Sequence, residues 1–439
     1  MLRSLIQSRP LLSIFLLALL VRLFSIASLG TYHEVPLNKD ALHYHMLAIS
    51  LCSGQGLAWQ GEPSALVPPL YPLLLAGIYA LTGSSRIGVL IFQTLLGATL
   101  AVLIYLSAEK IFSRKTALVS AFVAALYWPF VTGSLRYLSE SLFLPLLIAG
   151  AYFSILTLEE KKTAGSVLAG GFLGLAALTR SVIFYFPVLI VCHLAWNYLK
   201  GRDRKLLKSG FIFILAFGLV YSPWIVRNYL VLGSPVLTNT NSGMVLYTSQ
   251  FPNEGKIFGN NLRDKDLQPS DRYILSLTEV DQDHALKNLA QRELRADPFR
   301  PLRLIPLKTA YFWSPFDWEV LGQPRGTIDA WYVWIMIFCG VWLFKGACRK
   351  PALFVPLSMI AYFYLLSLAA YGSSRMRLPV EPLLVMLAAE GWVGSEIRLG
   401  RKIKTLLFSL ITVSILACSF YGYELKELTA GLLSRMNLW

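Results

Sequence analysis

A carboxylate near the start of the chain has neighbours that suit a general base. Asp40 falls in the first turn of a short helix that the sequence predicts over 39–52, with Asn38 as its N-cap. The dipole at that end of a helix favours an ionised carboxylate, and His43 and Tyr44 share the face of Asp40. An ionised carboxylate supported by His and Tyr can take the proton of a hydroxyl group. The alternative is a capping carboxylate on a surface helix.

Five arginines and a glutamate form the second group of candidate residues. Arginine binds phosphate through a planar, two-point contact, so several arginines on one side of a protein predict an anionic ligand there. The candidates are Arg136, Glu140, Arg180, Arg227, Arg375 and Arg377. For each arginine, a lipid headgroup or a neighbouring carboxylate is the alternative partner.

The composition indicates what kind of protein must position these residues. The chain has 439 residues, of which 55% are hydrophobic and 15% are charged, whereas soluble domains carry about 25% charged residues. A membrane domain explains this composition, and cationic cytoplasmic loops explain the net charge of +15. Because no basic stripe is interleaved with aromatic residues, we do not predict nucleic acid as a partner. The five cysteines have no CxxC spacing, so neither a disulfide framework nor a structural zinc site is predicted.

Eleven apolar runs are predicted to cross the membrane. They are 11–30, 86–107, 117–134, 141–158, 165–179, 182–199, 210–225, 328–346, 352–370, 379–394 and 405–421. A further run, 67–82, is interrupted by prolines, and we place it along the outer surface. Nineteen lysines and arginines then lie in short cytoplasmic loops, whereas a crossing at 67–82 would move seventeen of them outside. The N-terminus is therefore predicted inside and the C-terminus outside.

This topology divides the chain into three parts. An N-terminal transmembrane module covers 1–225 and contains the first outer loop, 31–85. An extracytoplasmic segment covers 226–327, with a helix predicted at 280–296 from the spacing of its leucines. C-terminal transmembrane helices cover 328–439. The candidate residues all fall on the outer side, so we predict a phosphate-handling site at that face.

Arg22 stands apart from these residues because it lies inside the first predicted span. A charge within the membrane is costly and marks a functional candidate. The alternative is a side chain that snorkels to the outer headgroups, since Gly30 is only eight residues away.

Several short motifs follow one another along residues 10–395. They are Asp40-x-x-x-Tyr44-x-x-x-Ala48, Gly54-x-Gly56, Pro68-Pro69-Leu70-Tyr71-Pro72, Leu138-Ser139-Glu140-Ser141-Leu142-Phe143, Gly174-Leu175-Ala176-Ala177-Leu178-Thr179-Arg180, Arg227-Asn228-Tyr229, Gly233-Ser234-Pro235-Val236 and Arg375-x-Arg377-x-Pro379. In this order they resemble the polyprenyl-phosphate-sugar-dependent glycosyltransferases of the GT-C superfamily. That superfamily includes glycosyltransferase family 39, the protein O-mannosyltransferases and the lipid-A aminoarabinose transferases.

The resemblance implies a fold, a reaction and roles for the candidate residues. The fold would be an all-α polytopic membrane bundle of about eleven transmembrane helices with outer juxtamembrane helices. The reaction would move a sugar, with inversion, from a polyprenyl-phosphate carrier to a hydroxyl of a glycan, lipid or protein acceptor at the outer face of the cytoplasmic membrane. Asp40 matches the family's catalytic base. The predicted substrate-binding residues are His43, Tyr44, Arg136, Glu140, Arg180, Arg227, Arg375 and Arg377.

No cofactor is predicted, and a metal is not supported. Many relatives carry a second acidic residue beside the catalytic one, or an acidic-basic pair before the Pro-Pro motif. In this chain Lys39 and Ala41 flank Asp40, and Leu66-Val67 precede Pro68-Pro69.

Other functions are compatible with the same topology. An O-antigen polymerase or ligase also handles lipid-linked sugars at the outer face, but its arginines are expected in large late loops rather than around an early aspartate. A lipid-linked-sugar transporter or flippase is expected to show paired broken spans or a two-fold repeat, and the sequence shows neither. A non-catalytic membrane scaffold is the remaining alternative.

Overall fold

In a computed structural model, the chain is described over residues 10–28, 39–160, 162–250, 267–315, 329–344, 350–370 and 373–394. Among the sequence predictions, Asn38 as an N-cap and the last span at 405–421 lie outside these residues.

Helices dominate the described residues. The first half contains α1 (Pro10–Ser28), α2 (Lys39–Cys52), α3 (Leu70–Thr82), α4 (Arg86–Ile111), α5 (Arg114–Leu126), α6 (Trp128–Gly133), α7 (Glu140–Glu160), α8 (Thr163–Thr179), α9 (Phe186–Gly201) and α10 (Arg204–Leu232). The second half contains α11 (Ser242–Thr248), α12 (Glu279–Ala296), α13 (Arg300–Trp313), α14 (Ala330–Phe344), α15 (Phe354–Ala369), α16 (Ser374–Arg377) and α17 (Glu381–Val393). Short 3-10 helices cover Ser181–Ile183, Pro269–Ser276 and Pro351–Leu353. The all-α fold class is confirmed, and α2 and α12 confirm the two helices predicted outside the spans.

Six stretches of the described residues are long and apolar enough to cross a membrane. They are Pro10–Ser28, Arg86–Ile111, Glu140–Glu160, Ser181–Gly201, Arg204–Leu232 and Pro351–Ala369. Shorter apolar helices accompany them, at α3, α8 and α14. The chain is therefore a multi-pass membrane protein, while the count of eleven spans stays a prediction.

The apolar helix α3 is short for a membrane span. It has 13 residues, and at ~1.5 Å per residue it measures about 20 Å, against a hydrocarbon layer of about 30 Å. Tyr71, Leu75 and Tyr79 on its buried face pack with Tyr44 and Ala48 of α2. The length fits the predicted placement along the outer surface, which stays a prediction.

A two-residue turn closes a small hairpin between α2 and α3. Strands β1 (Ala58–Trp59) and β2 (Glu62–Pro63) are antiparallel, with Trp59 opposite Glu62. Gln60 and Gly61 connect them with φ angles of 54° and 88°. Two successive positive φ values match the right-handed twist of the strands. The hairpin thereby fixes Trp59 beside α2.

Two glycines allow neighbouring helices to approach closely. A Cβ atom at Gly170 of α8 would lie 2.2 Å from the carbonyl oxygen of Phe213 in α10. A Cβ atom at Gly391 of α17 would lie 2.0 Å from the carbonyl oxygen of Phe338 in α14. Within a membrane, helices associate mainly through such tight packing of small residues. These contacts pack α8 against α10 and α17 against α14.

Arg22 is fully buried inside the bundle. Its guanidinium donates hydrogen bonds to the carbonyl oxygens of Ala18 at 3.0 Å and Ala125 at 3.3 Å, and to Oγ of Ser134 at 3.3 Å. Ala125 lies at the C-terminal end of α5, where a cation is favoured by the helix dipole. The snorkelling alternative is wrong, because the tight packing around Gly97 keeps the side chain inside the protein. Arg22 therefore ties α1 to the ends of α5 and α6.

Replacing Arg22 with Met should lower the stability of the protein. Buried polar groups that lose their partner cost about 1–3 kcal/mol each, and Arg22→Met removes the donor from two carbonyl groups and one hydroxyl group. We expect a lower thermal unfolding midpoint for the purified protein in detergent. Leu20→Met, at an exposed position of the same helix, is the control. Equal midpoints for the two variants would contradict the structural role of Arg22.

Candidate active site

Helix α2 presents Asp40 at its exposed edge and buries its other face. Asp40 lies in the first turn, as predicted, and its side chain is 46% exposed. Ala41, Tyr44 and Ala48 are buried against α3. The packing therefore fixes the helix and leaves the carboxylate exposed.

Four charged side chains, including this carboxylate, form a connected chain of ion pairs. Nη1 of Arg375 lies 2.6 Å from Oδ2 of Asp40, and Nε of the same arginine lies 2.6 Å from Oε1 of Glu140. Arg180 forms a second ion pair with Glu140. Arg375 thus bridges the two carboxylates, and Glu140 holds two arginines at once. We refer to Asp40, Glu140, Arg180 and Arg375 as the charge cluster.

The charge cluster is buried at one end and open at the other. The side chain of Glu140 is 3% exposed, those of Arg180 and Arg375 are 17% and 21% exposed, and that of Asp40 is 46% exposed. The two formal positive charges balance the two negative charges. Ion pairs in partly buried surroundings are screened much less than surface pairs. An anion that enters from the open end therefore meets two oriented guanidinium groups.

The members of the cluster come from the ends of four separate elements. Glu140 lies in the first turn of α7, where the helix dipole favours a carboxylate. Arg180 follows the last residue of α8 in an extended conformation, and its guanidinium lies 5.9 Å from the ring centre of Phe143. Arg375 belongs to the four-residue helix α16. Helix ends at one face of the bundle therefore build the site.

Tyr44 supports Glu140 through a serine. The hydroxyl of Tyr44 donates to Oγ of Ser139 at 3.1 Å, and that hydroxyl donates to Oε2 of Glu140 at 3.5 Å. Burial raises the pKa of Tyr44, although Arg180 opposes this, so the phenol stays protonated. These hydrogen bonds link Tyr44 through Ser139 to Glu140 of the charge cluster. A substrate contact for Tyr44 stays a prediction.

His43 lies beside Asp40 against an aromatic ring. Its imidazole centre is 4.3 Å from that of Trp59 in β1, and its Nε2 is buried without a hydrogen-bond partner among the described residues. Burial lowers the pKa of His43, although Glu279 and Asp40 oppose this. The imidazole is therefore neutral at neutral pH. Its predicted contact with substrate stays a prediction.

Arg227 holds the first outer loop instead of joining the charge cluster. Its guanidinium donates to the carbonyl oxygens of Ser64 and Leu57, each at 2.9 Å. It also lies 5.3 Å from the ring centre of Trp224. These contacts tie the guanidinium to the backbone of residues 57–64, and a substrate contact for Arg227 stays a prediction.

Arg377 is also engaged away from the cluster, although it is only two residues from Arg375. Its side chain is 5% exposed and pairs with Glu381 at 2.8 Å. It donates to the carbonyl oxygens of Phe312 at 3.1 Å and Ser314 at 2.6 Å. Arg375 and Arg377 therefore bind different parts of the protein, and a substrate contact for Arg377 stays a prediction.

Arg136 is the remaining predicted arginine. Its carbonyl oxygen accepts a hydrogen bond from Nε2 of Gln93 at 3.0 Å, which fixes the backbone before α7. No ion pair of its side chain is found among the described residues. Its role at the site stays a prediction.

Glu279 is a residue that the sequence analysis missed. Its carboxylate accepts hydrogen bonds from Oγ of Ser64 at 2.7 Å, from the backbone N–H of Ala65 at 2.8 Å and from Oγ1 of Thr240 at 2.5 Å. It thereby joins residues 64–65 to Thr240 and to the start of α12. Its only sequence signal is its position at the start of a helix after Thr278, which does not reveal a distant partner.

The described residues contain no group of three His, Cys, Asp or Glu side chains that could hold a metal ion. Asp40 and Glu140 are the carboxylates of the cluster, and both are paired with arginine. The arrangement therefore resembles an anion site, in which guanidinium groups supply the positive charge.

Comparison with known proteins shows where this architecture occurs. Residues 66–226 match the family described as dolichyl-phosphate-mannose-protein mannosyltransferase. That range includes Glu140 and Arg180 but not Asp40 or Arg375. No curated protein is similar enough in sequence to match the chain.

Solved membrane enzymes have a similar fold. The apo oligosaccharyltransferase of Archaeoglobus fulgidus superimposes with a TM-score of 0.56 at 13% identity, over 97% of this chain and 56% of that chain. The chain has the GT-C fold. The same archaeal enzyme, in complex with an inhibitory peptide and a dolichol-phosphate, gives a TM-score of 0.54 at 12% identity over the same shares.

A third structure is more distant. ArnT from Cupriavidus metallidurans, bound to undecaprenyl phosphate, gives a TM-score of 0.39 at 16% identity, over 85% of this chain and 77% of that chain. The fold assignment therefore rests on the archaeal enzyme. This chain spans 56% of the length of the oligosaccharyltransferase, and the predicted resemblance is confirmed at the level of the fold.

Proposed function

We propose that this chain is an inverting membrane glycosyltransferase. It moves a sugar from a polyprenyl-phosphate carrier to an acceptor hydroxyl at the outer face of the cytoplasmic membrane. The observation that carries the proposal is the bridge of Arg375 between Asp40 and Glu140. One side chain there touches both the proposed base and the carboxylate that also holds Arg180.

The donor phosphate would bind at the two arginines of the cluster. A polyprenyl-phosphate sugar is an anionic phosphodiester, and its phosphate gains a second negative charge when the sugar leaves. Arg180 and Arg375 are held by Glu140, so they need no reorganisation as that charge develops. Preorganised donors of this kind contribute strongly to catalysis. This fit supports a lipid phosphate as the leaving group.

Asp40 would take the proton of the acceptor. The acceptor oxygen attacks the anomeric carbon of the sugar, the bond from that carbon to the phosphate oxygen breaks, and the hydroxyl proton passes to the carboxylate. A phosphate that takes Nη1 of Arg375 releases Oδ2 of Asp40, which that nitrogen holds at 2.6 Å before binding. Donor binding therefore frees the base for the acceptor.

Binding of a polyprenyl phosphate tests the proposal directly. Purified protein should bind undecaprenyl phosphate in detergent micelles at least about tenfold more tightly than undecaprenol, which lacks the phosphate. The archaeal relative was solved with a dolichol-phosphate, which supports this choice of probe. Equal affinity for the two lipids would contradict the proposed donor class.

Replacing Arg375 with Lys should reduce turnover. Lysine keeps the positive charge but cannot contact Asp40 and Glu140 through two nitrogens of one planar group. We expect kcat/KM for a polyprenyl-phosphate sugar to fall by more than about tenfold, or ~1.4 kcal/mol of transition-state stabilisation. Arg303→Lys, in an exposed pair with Asp297, is the control. A headgroup anchor tolerates lysine, so turnover like that of the parent would exclude the phosphate role.

The active site is proposed to face the outer side, with 1–225 and 328–439 as the transmembrane parts and 226–327 as the extracytoplasmic segment. In a background with the five cysteines replaced, we expect an impermeant maleimide to label Glu62→Cys in intact cells and to leave Lys205→Cys unlabelled. Both positions are exposed in the structure. Labelling of position 205 but not 62 would reverse the proposed topology.

A further inference from the structure

The element that carries Arg375 is too short to hold itself in place. Helix α16 has four residues, Ser374–Arg377, and a single helical turn is unfavourable without tertiary support. Yet Nε and Nη1 of Arg375 each lie 2.6 Å from a carboxylate on a different helix. Such a geometry requires contacts that fix the backbone on both sides of the arginine.

A buried lysine supplies the contact on the N-terminal side. Lys308 of α13 is fully buried, and its Nζ donates to the carbonyl oxygens of Leu368 at 2.9 Å and Ala370 at 2.7 Å. These carbonyl groups end α15, where a cation is favoured by the helix dipole. Burial lowers the pKa of Lys308 to about 8, which shows that the position is costly for a charge. A buried lysine that donates two hydrogen bonds to the end of one helix indicates a specific role there.

Arg377 supplies the contact on the C-terminal side. It is held by Glu381 and lies 3.5 Å from the ring centre of Tyr332. Its Nη1 donates to the carbonyl oxygens of Phe312 and Ser314, which close the C-terminal end of α13. The guanidinium therefore fixes Arg377 against α13, the helix that also carries Lys308.

Helix α13 is thus the common support for the segment around Arg375. Its side chain at Lys308 binds the chain before Arg375, and its last carbonyl groups bind the chain after it. The helix itself is fixed to α15, because Oγ1 of Thr309 and the hydroxyl of Tyr364 lie 2.8 Å apart. The partners of Lys308 and Arg377 described above are not members of the charge cluster. Their effect on the cluster passes through the backbone of Arg375.

We propose that Lys308 and Arg377 are positioning residues that set Arg375 between Asp40 and Glu140. The inference rests on the proposed function, since the position of Arg375 matters for binding only if it holds a phosphate. It assigns Lys308 a role in the reaction and gives Arg377 a role different from that of a phosphate ligand. A shift of the backbone by about 1 Å is enough to misplace a catalytic contact.

The test compares Lys308→Met and Arg377→Lys in the full-length purified protein. Lys308→Met removes both hydrogen bonds to the end of α15, and Arg377→Lys keeps the charge but loses the fork. Arg303→Met, at an exposed position of α13, is the matched control. Three quantities are measured for each protein: the affinity for undecaprenyl phosphate, the hydrogen exchange of the amides at 373–380 and the thermal midpoint.

We expect both variants to bind undecaprenyl phosphate about tenfold or more weakly and to exchange the amides at 373–380 faster, while the control changes neither quantity. In an Arg375→Ala background, Lys308→Met should cause no further loss of affinity, because it acts through Arg375. Additive losses in that background would overturn the proposal. Parental affinity in either variant, when that variant is folded, would also overturn the proposal. Unfolding of both variants would overturn it as well, because the two residues would then serve global stability.

The same experiment separates this proposal from the proposed function. If Arg375→Ala binds undecaprenyl phosphate as tightly as the parent does, the phosphate site is wrong. The exchange of the amides at 373–380 still reports whether Lys308 and Arg377 hold the segment. Parental exchange rates in both variants would overturn the positioning role whatever the affinity of Arg375→Ala.

Discussion

Asp40→Asn should abolish most of the sugar transfer while leaving the protein folded. The amide cannot accept the proton of the acceptor hydroxyl, and general bases contribute roughly 10²–10⁴-fold to the rate. Asp40 lies at the exposed edge of α2 with its side chain 46% exposed, so the substitution creates no buried defect. We expect kcat to fall by about two to four orders of magnitude. The measurement is the release of polyprenyl phosphate from a polyprenyl-phosphate sugar in the presence of acceptor.

A matched control separates the base from a capping carboxylate, which was the alternative from the sequence. Asp281 lies in the first turn of the outer helix α12, as Asp40 does in α2. Asp281→Asn should lose only the modest stability of a helix-end carboxylate, about 0.3–1 kcal/mol, and keep full transfer. Near-normal transfer by folded Asp40→Asn protein would exclude the base assignment.

Glu140→Gln should have the second large effect, because it should lower both the thermal midpoint and kcat/KM. Glu140 is 3% exposed and pairs with both Arg180 and Arg375. Removing one partner of a buried ion pair costs about 3–5 kcal/mol, because an uncompensated charge remains. We expect a lower thermal midpoint and a kcat/KM for the lipid-linked sugar that falls by about a hundredfold or more, or ~2.7 kcal/mol. The arginines lose the contact that orients them toward the phosphate.

The control for Glu140→Gln lies on the same helix. Glu159 near the other end of α7 pairs with Lys110, and both side chains are about one third exposed. Exposed pairs contribute about 0–1 kcal/mol, so Glu159→Gln should change neither stability nor transfer measurably. If Glu140→Gln lowers only the thermal midpoint and leaves the affinity for undecaprenyl phosphate unchanged, Glu140 is a structural residue and the phosphate lies elsewhere.

The arginines show how far sequence reasoning reached. The predicted topology placed five arginines on one side of the membrane, and the sequence analysis treated them as one set. They are Arg136, Arg180, Arg227, Arg375 and Arg377. In the structure, Arg180 and Arg375 share Glu140. Arg227 binds backbone carbonyl groups of the first outer loop, and Arg377 binds those at the end of α13. Backbone carbonyl groups carry no sequence signal, so these partners could not be predicted.

Lys308 and Glu279 were missed for a related reason. Lys308 lies on a helix whose sequence looks like an ordinary amphipathic surface helix, yet the side chain is fully buried under the end of α15. Glu279 lies at the start of α12, where an acidic residue needs no distant partner to be favourable. In both cases an ordinary structural role, as part of a surface helix or at a helix end, explains the local sequence. Only the packing of distant segments reveals the contacts.

The sequence by itself determined the class of protein and the local frame of the site. Its apolar runs required a membrane bundle, because in the bilayer each helix satisfies its own backbone hydrogen bonds. The short-range pattern around Asp40 placed the carboxylate in the first turn of α2. These properties depend on neighbouring residues, whose spacing is written in the sequence.

The tertiary structure alone decided which charges meet. Arg375 reaches Asp40 across 335 positions and Glu140 across 235 positions of the chain. An arginine pairs with a carboxylate, a carbonyl group or a phosphate with similar geometry, so its partner is set by the position of its backbone. That position follows from the packing of α13, α15 and α16, which no local pattern encodes.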